Sequence, residues 1–190
     1  AKCDALDMAT DGIVSNTAAC QTAFNLNVDV PTCSGDRDGT CLTTLQKQVV
    51  ANIFAGAKTS AGAAIYNTFP YDPGIGGNNW ATWEFVFSQA LDPLAVGTVF
   101  SATPAYLPDP LTASIDSLAA SITATSATYS VSAMDFMTPP NPADLSRVKN
   151  RGAKVVVYHG VSDAVFSYDD SVAWYKNLAA GPWKPIAEGF

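Results

Sequence analysis

Asp4, Asp7 and Asp11 fall within eight consecutive positions, and Gly12 follows the last of them. Carboxylates this close repel one another and make a poor helix. A hard cation relieves the repulsion, because Ca²⁺ takes about six to eight oxygen ligands from carboxylates and backbone carbonyls. The spacing predicts a calcium-holding loop, bracketed by Cys3 and Cys20. A second chemical feature lies far downstream, in His159-Gly160-Val161-Ser162-Asp163. An aspartate on such a loop can orient a catalytic histidine, as the third member of a Ser-His-Asp triad. The plain alternative is a turn aspartate that satisfies nearby backbone N–H groups.

Position along the chain explains the interest in Asp163. Asp144 or Ser146 opens a short helix ending near Gly152, and Ala153 to Tyr158 then reads as a buried strand, a β-branched run of the kind found in parallel sheets. Loops at the C-terminal ends of such strands carry the ligands and reactive groups of α/β folds. Ser167, with Asp170 three residues later, starts a helix bearing Val172, Trp174, Tyr175 and Leu178 in the manner of a capping box. His159 is the only histidine and stands four residues before Asp163. In α/β-hydrolases the order is Ser, Asp, His, and no Gly-x-Ser-x-Gly elbow is present. His159 therefore reads as a pocket wall and not as the base.

Upstream, residues 1 to about 41 are rich in Cys and Asp, with turn signals at Asp11-Gly12, Ser34-Gly35 and Asp38-Gly39. A helix is predicted from Thr43 or Thr44 to Gly56, with Leu45, Val49 and Ile53 at helical spacing. Residues 57 to about 142 scatter Trp80, Trp83, Phe85, Phe87, Phe100, Tyr106, Tyr129 and Phe136 through Gly, Pro, Ser and Thr. They read as the core of a loop-built module, or as a lid lining a pocket for an aromatic substrate. Thr138-Pro139-Pro140-Asn141-Pro142 closes that region.

Bulk composition narrows the class. With 48% hydrophobic and 14% charged residues the chain is globular. A net charge of −7 with ten basic residues excludes a nucleic-acid surface. No apolar run is long enough to cross a bilayer. Cys3, Cys20, Cys33 and Cys41 lack zinc-knuckle spacing, so disulfides are expected, in a secreted or periplasmic setting, and three connectivities are open.

The pattern Cys3-Asp4-x-x-Asp7-x-x-x-Asp11-Gly12-Ile13 with Cys20, followed by Val157-Tyr158-His159-Gly160-x-Ser162-Asp163, resembles the tannase and feruloyl esterase family. Asp72-Pro73-Gly74-Ile75 and Asp163 to Ser167 are similar to its mono(hydroxyethyl) terephthalate hydrolase branch. The resemblance implies part of an α/β-hydrolase: a loop-rich, calcium-binding lid over residues 1–142, and a core segment over 143–190. It implies Ca²⁺ held by the carboxylates of Asp4, Asp7 and Asp11 and the carbonyls of Ala9 and Ile13. It also implies the pairings Cys3–Cys20 and Cys33–Cys41, and Asp163 as the triad acid. His159 and Phe166 are then expected at the substrate cleft, with Phe100, Ser101 and either Trp80 or Trp83 (Trp83 preferred) as lid residues facing the ester.

The family's serine, in a Cys-Ser elbow, and its histidine, beside the partner cysteine, are expected outside this sequence. The remaining segments of a parent esterase would supply both and complete the hydrolysis of feruloyl, galloyl or terephthaloyl esters. The chain alone is expected to be inactive. The competing expectation is a calcium-stabilised binding module without catalysis, which has no need of the strand-loop-helix around Asp163.

Overall fold

Capping side chains decide where the early helices begin. Asn16 accepts from Ala19 N to open α1 (Thr17–Ala23), and Asn25 accepts from Asn27 N to open α2 (Leu26–Asp29). Thr43 opens α3 (Thr44–Phe54) with a reciprocal capping box: its hydroxyl accepts from Gln46 N, and the Gln46 side chain accepts from Thr43 N. The computed structural model describes residues 2–35, 39–107, 109 and 111–180. Asp38 of one predicted turn, and residues 181–190 of the expected core segment, lie outside the described residues.

The chain forms two units. The first comprises residues 1–57, 64–81 and 159–170. Its N-terminal part is closed by the disulfide Cys3–Cys20, packed with Val14 and Phe24, and by the disulfide Cys33–Cys41. Aromatic rings continue the core: Tyr71 lies 5.1 Å from Phe24 and stacks on Phe54 at 4.4 Å, and Phe54 meets Trp80 at 5.7 Å. Offset rings at these separations contribute about 0.5–1.5 kcal/mol per pair beyond area burial. Gln21 fixes Tyr71 by accepting from its N–H and donating to its carbonyl.

The α3 helix forms where expected, but its buried face differs from the prediction. Val50, Phe54 and Lys47 are buried, whereas Leu45 and Val49 are exposed. The reason is polar. Lys47 is 3% exposed, and its Nζ donates to the carbonyls of Asn27 and Val30 and to Thr32 Oγ1. The ammonium thus takes up loose carbonyls around α2, and its face of the helix turns inward with it. Gly56, at φ +71°, ends α3, and a Cβ there would lie 2.3 Å from the Asn67 carbonyl oxygen.

The second unit comprises residues 58–63, 82–158 and 171–190. After α4 (Asn78–Thr82), whose residues 78–81 belong to the first unit, helical segments continue through a widened π turn (Trp83–Phe87), α5 (Ser88–Leu94) and a second π turn (Ala95–Val99). Pro93, which has no N–H, sits within α5 between the two π turns. Gly97 brings the chain back on itself, accepting from Ala105 N at a place where a Cβ would stand 2.2 Å from the Ala105 oxygen. Then follow α6 (Ile115–Ile122), α7 (Ala133–Met137), α8 (Ser146–Asn150) and α9 (Tyr168–Ala180). Asp116 of α6 accepts from both the N–H and the hydroxyl of Ser60, and Trp174 Nε1 donates to the Pro142 carbonyl.

Residues 153–158 depart from expectation. They are neither buried nor in a ladder: Val156 is 78% exposed and Tyr158 is 93% exposed. A strand exists only through hydrogen bonds to a neighbour. Among the described residues β structure is confined to isolated bridge positions, such as Thr32 with Leu42. Where an α/β segment is expected, the described residues are mostly helical.

Two stability predictions follow from buried charge. Lys47→Met keeps the stem and strands the three acceptors, so the full-length protein should lose about 2–3 kcal/mol in urea unfolding; a loss below about 0.5 kcal/mol would refute the role given to the ammonium. Glu84, in the first π turn, has its carboxyl pushed up from 4.5 to about 7, by burial first and then by the charge of Asp92. A raised carboxyl pKa contributes stability below the unfolded value, and that contribution is lost as pH rises through about 7. Glu84→Gln should raise Tm at pH 8 and leave it unchanged at pH 4; equal shifts at both pH values would contradict this sign.

Candidate active site

The loop from His159 to Ser167 is closed by its own polar groups. Asp163 N donates to the Gly160 carbonyl at 3.2 Å, and Asp163 Oδ1 accepts from Val165 N at 2.8 Å and from Phe166 N at 2.9 Å. His159 Nε2 donates to the Phe166 carbonyl at 2.9 Å and lies 3.7 Å from Asp163 Oδ2. The edge of the Tyr168 ring faces the imidazole at 6.3 Å. One oxygen of Asp163, a side chain about a third exposed, therefore does the work of a turn aspartate, while the other lies nearest the imidazole nitrogen of His159. A carboxylate anchored in this way can receive a hydrogen bond from an imidazole without having to reorient.

Earlier residues anchor the loop. Ser167 N donates to Tyr66 Oη, Ser167 Oγ donates to the Thr68 carbonyl, and Thr68 Oγ1 donates to Asp169. Ser167 caps α9 by accepting from Asp169 N. The capping box predicted with Asp170 does not form as such, because the Ser167 N–H is taken by the Tyr66 phenol. Ser162 Oγ donates to Asp72, which also accepts from Gly74 N at 2.6 Å. Burial pushes the Asp72 carboxyl up, and the bonds from Ser162 and Gly74 oppose that shift.

His159, Asp163 and Phe166 are thus brought together on one loop, with the imidazole bonded to backbone and the Phe166 ring exposed. The other substrate-facing candidates belong to the second unit. Trp83 packs edge-on against Phe87 at 4.7 Å, Phe100 closes the second π turn through its N–H to the Ala95 carbonyl, and Ser101 Oγ accepts from Thr103 N. Trp80 is buried against Phe54 as a core residue. Sequence reasoning gave no role to Tyr66 or Thr68, and it noted Asp72, Gly74 and Ser162 only as parts of motifs. Their partners lie 90 to 101 positions away, so no local signal could have paired them.

The acidic loop is organised by backbone amides. Asp4 Oδ1 accepts from Asp11 N and Gly12 N, Asp7 accepts from Ala9 N and Ser15 N through separate oxygens, and Asp11 Oδ1 accepts from Ile13 N. The Ser15 and Ala9 N–H groups hold the Asp7 carboxyl below its usual range. Among the described residues no three His, Cys, Asp or Glu side chains are gathered as a metal-ligand group. The donor chemistry of the loop still suits a hard cation, since its side-chain donors are carboxylates with more lone pairs than these backbone bonds occupy.

Comparison with known proteins places these features. The family model described as tannase and feruloyl esterase matches residues 1–190. A mono(2-hydroxyethyl) terephthalate hydrolase of Piscinibacter sakaiensis is 32% identical over 220 aligned positions, covering 99% of this chain and 36% of that protein. A probable feruloyl esterase B-1 of Aspergillus oryzae is 28% identical, covering 94% of this chain and 30% of that protein. The crystal structure of feruloyl esterase B from Aspergillus oryzae superposes with a TM-score of 0.61 at 26% identity, covering 94% of this chain and 33% of that one. The chain spans about a third of the length of the curated relatives it matches. With the acidic loop, both disulfides and the Asp163 loop assembled on one sequence, and with a match along its whole length, this chain belongs to the tannase and feruloyl esterase family.

Proposed function

We propose that the chain is part of a serine esterase hydrolysing aromatic carboxylic esters, of feruloyl, galloyl or terephthaloyl type, in which Asp163 is the acid of a Ser-His-Asp triad. The observation that carries this reading is the division of labour in its carboxylate. Oδ1 is tied down by Val165 N and Phe166 N, and Oδ2 remains to receive an imidazole N–H. His159 is occupied with the Phe166 carbonyl and is the only histidine here, so the base is assigned to the rest of the parent enzyme, as is the serine by family resemblance. In the reaction the serine attacks the ester carbonyl and the histidine takes its proton. Asp163 holds the imidazole in the correct tautomer and stabilises the imidazolium. Phe166, His159, Trp83, Phe100 and Ser101 are assigned to the surroundings of the aromatic acid. That assignment rests on the family resemblance.

The parent is read as an α/β-hydrolase in which most of this chain forms the lid. Ca²⁺ is assigned to the carboxylates of Asp4, Asp7 and Asp11 and the carbonyls of Ala9 and Ile13, where it supplies charge neutralisation and no chemistry. Two disulfides suit a secreted or periplasmic enzyme, and among the described residues no helix is long and apolar enough to cross a membrane.

Asp163→Asn in the full-length protein should lower kcat/KM for methyl ferulate by about 10³–10⁴-fold with an unchanged far-UV spectrum. An Asp163→Asn enzyme of undiminished activity would remove Asp163 from the triad. Returning millimolar Ca²⁺ to chelator-treated protein should raise Tm, by about 3 kcal/mol of linkage where free metal exceeds Kd a few hundredfold. Asp7→Asn should blunt that rise, and a Tm indifferent to calcium in the parent would remove the metal from the assignment.

A further inference from the structure

Asp163 is held locally on nearly every side, yet its immediate neighbour Ser162 is held from a distance. Ser162 Oγ donates to Asp72, 90 residues earlier. Asp72 is the cap of a one-turn 3₁₀ helix (Pro73–Gly76), with Pro73 at its first position, so its carboxylate is aimed by a rigid turn. The same Asp72 oxygen, Oδ1, accepts from Gly74 N and from the Ser162 hydroxyl. Gly74 completes the contact by lacking a side chain, since a Cβ there would fall 2.4 Å from Ser162 Cβ and 2.6 Å from its Oγ. The loop thus seats directly on the backbone of the 3₁₀ turn, at the residue next to Asp163.

We propose that Asp72, Gly74 and Ser162 form a clamp of positioning residues that sets where Asp163 stands during ester hydrolysis. The clamp rests on the reading of Asp163 as the triad acid. Ser162 is solvent-exposed, so replacing its hydroxyl should act on geometry and not on stability. Displacing a catalytic carboxylate by a fraction of its bond length to the imidazole costs rate and leaves substrate binding intact.

The test compares Ser162→Ala, Ser162→Thr, Gly74→Ala and Asp163→Asn in the full-length enzyme, with methyl ferulate as substrate. Ser162→Ala should lower kcat by at least about tenfold with KM within about twofold and Tm unchanged. Ser162→Thr keeps the hydroxyl and should restore kcat to within about threefold of the parent. Gly74→Ala should repeat the kcat defect of Ser162→Ala by pushing the loop off its seat. A smaller loss in Ser162→Ala overturns the clamp, as does a loss matched by a rise in KM or a fall in Tm, or a Ser162→Thr enzyme as slow as Ser162→Ala. If Asp163→Asn is itself fully active, the triad reading fails and takes the clamp with it. If Asp163→Asn is inactive while Ser162→Ala is normal, only the clamp fails.

Discussion

Four side-chain hydrogen bonds between residues 66–72 and residues 162–169 are the constraint on which the candidate site depends. They join Tyr66 to Ser167, Thr68 to Ser167, Thr68 to Asp169 and Asp72 to Ser162. The loop between those anchors has little apolar packing of its own, apart from buried Ala164. Its shape is therefore set by polar directionality, which tolerates less displacement than contact between apolar surfaces. Closing a loop across about 90 residues costs only slightly more entropy than closing a short one, so a few well-directed bonds suffice. The same anchors cap α9, and the helix and the Asp163 loop are thereby ordered together.

The N-terminal region solves a different electrostatic problem with similar means. Its carboxylates lie close in sequence, and each is turned onto backbone N–H groups of the loop that carries it. These partial positive charges offset the mutual repulsion and set the backbone path, including the left-handed residues Met8 and Gly12. The disulfide Cys3–Cys20 then ties the loop to α1, where Val14 and Phe24 cover it.

The second unit is built on helix irregularity. Two π turns flank α5, and Pro93 and Gly97 mark the places where the ordinary helical ladder is interrupted. Interruptions of this type re-aim side chains and occur often at functional sites. Trp83 and Phe100 are carried by these irregular turns, as is Glu84, whose burial leaves it far more easily protonated than an ordinary glutamate.

Interactions that are local in the chain were legible in the sequence. The Thr43 cap and Gly56 terminator of α3, the short helix before Gly152, and the acidic loop all depend on neighbours within a few residues. Asp163 was legible as a candidate because its loop and following helix are coded side by side. The cysteine pairing followed from family resemblance, and the structure shows it directly. What only the tertiary structure decided is non-local. The inward face of α3 was chosen by Lys47 reaching the carbonyls around α2, against the apolar spacing of Leu45 and Val49. The β-branched run at 153–158 has strand chemistry, but a ladder is a property of two segments, and the described residues offer it no neighbour. The seating of the Asp163 loop on Asp72 and Gly74 likewise joins residues that no sequence pattern relates. Propensity and capping are written into adjacent residues, whereas packing and hydrogen-bond partnership are settled only when distant segments meet.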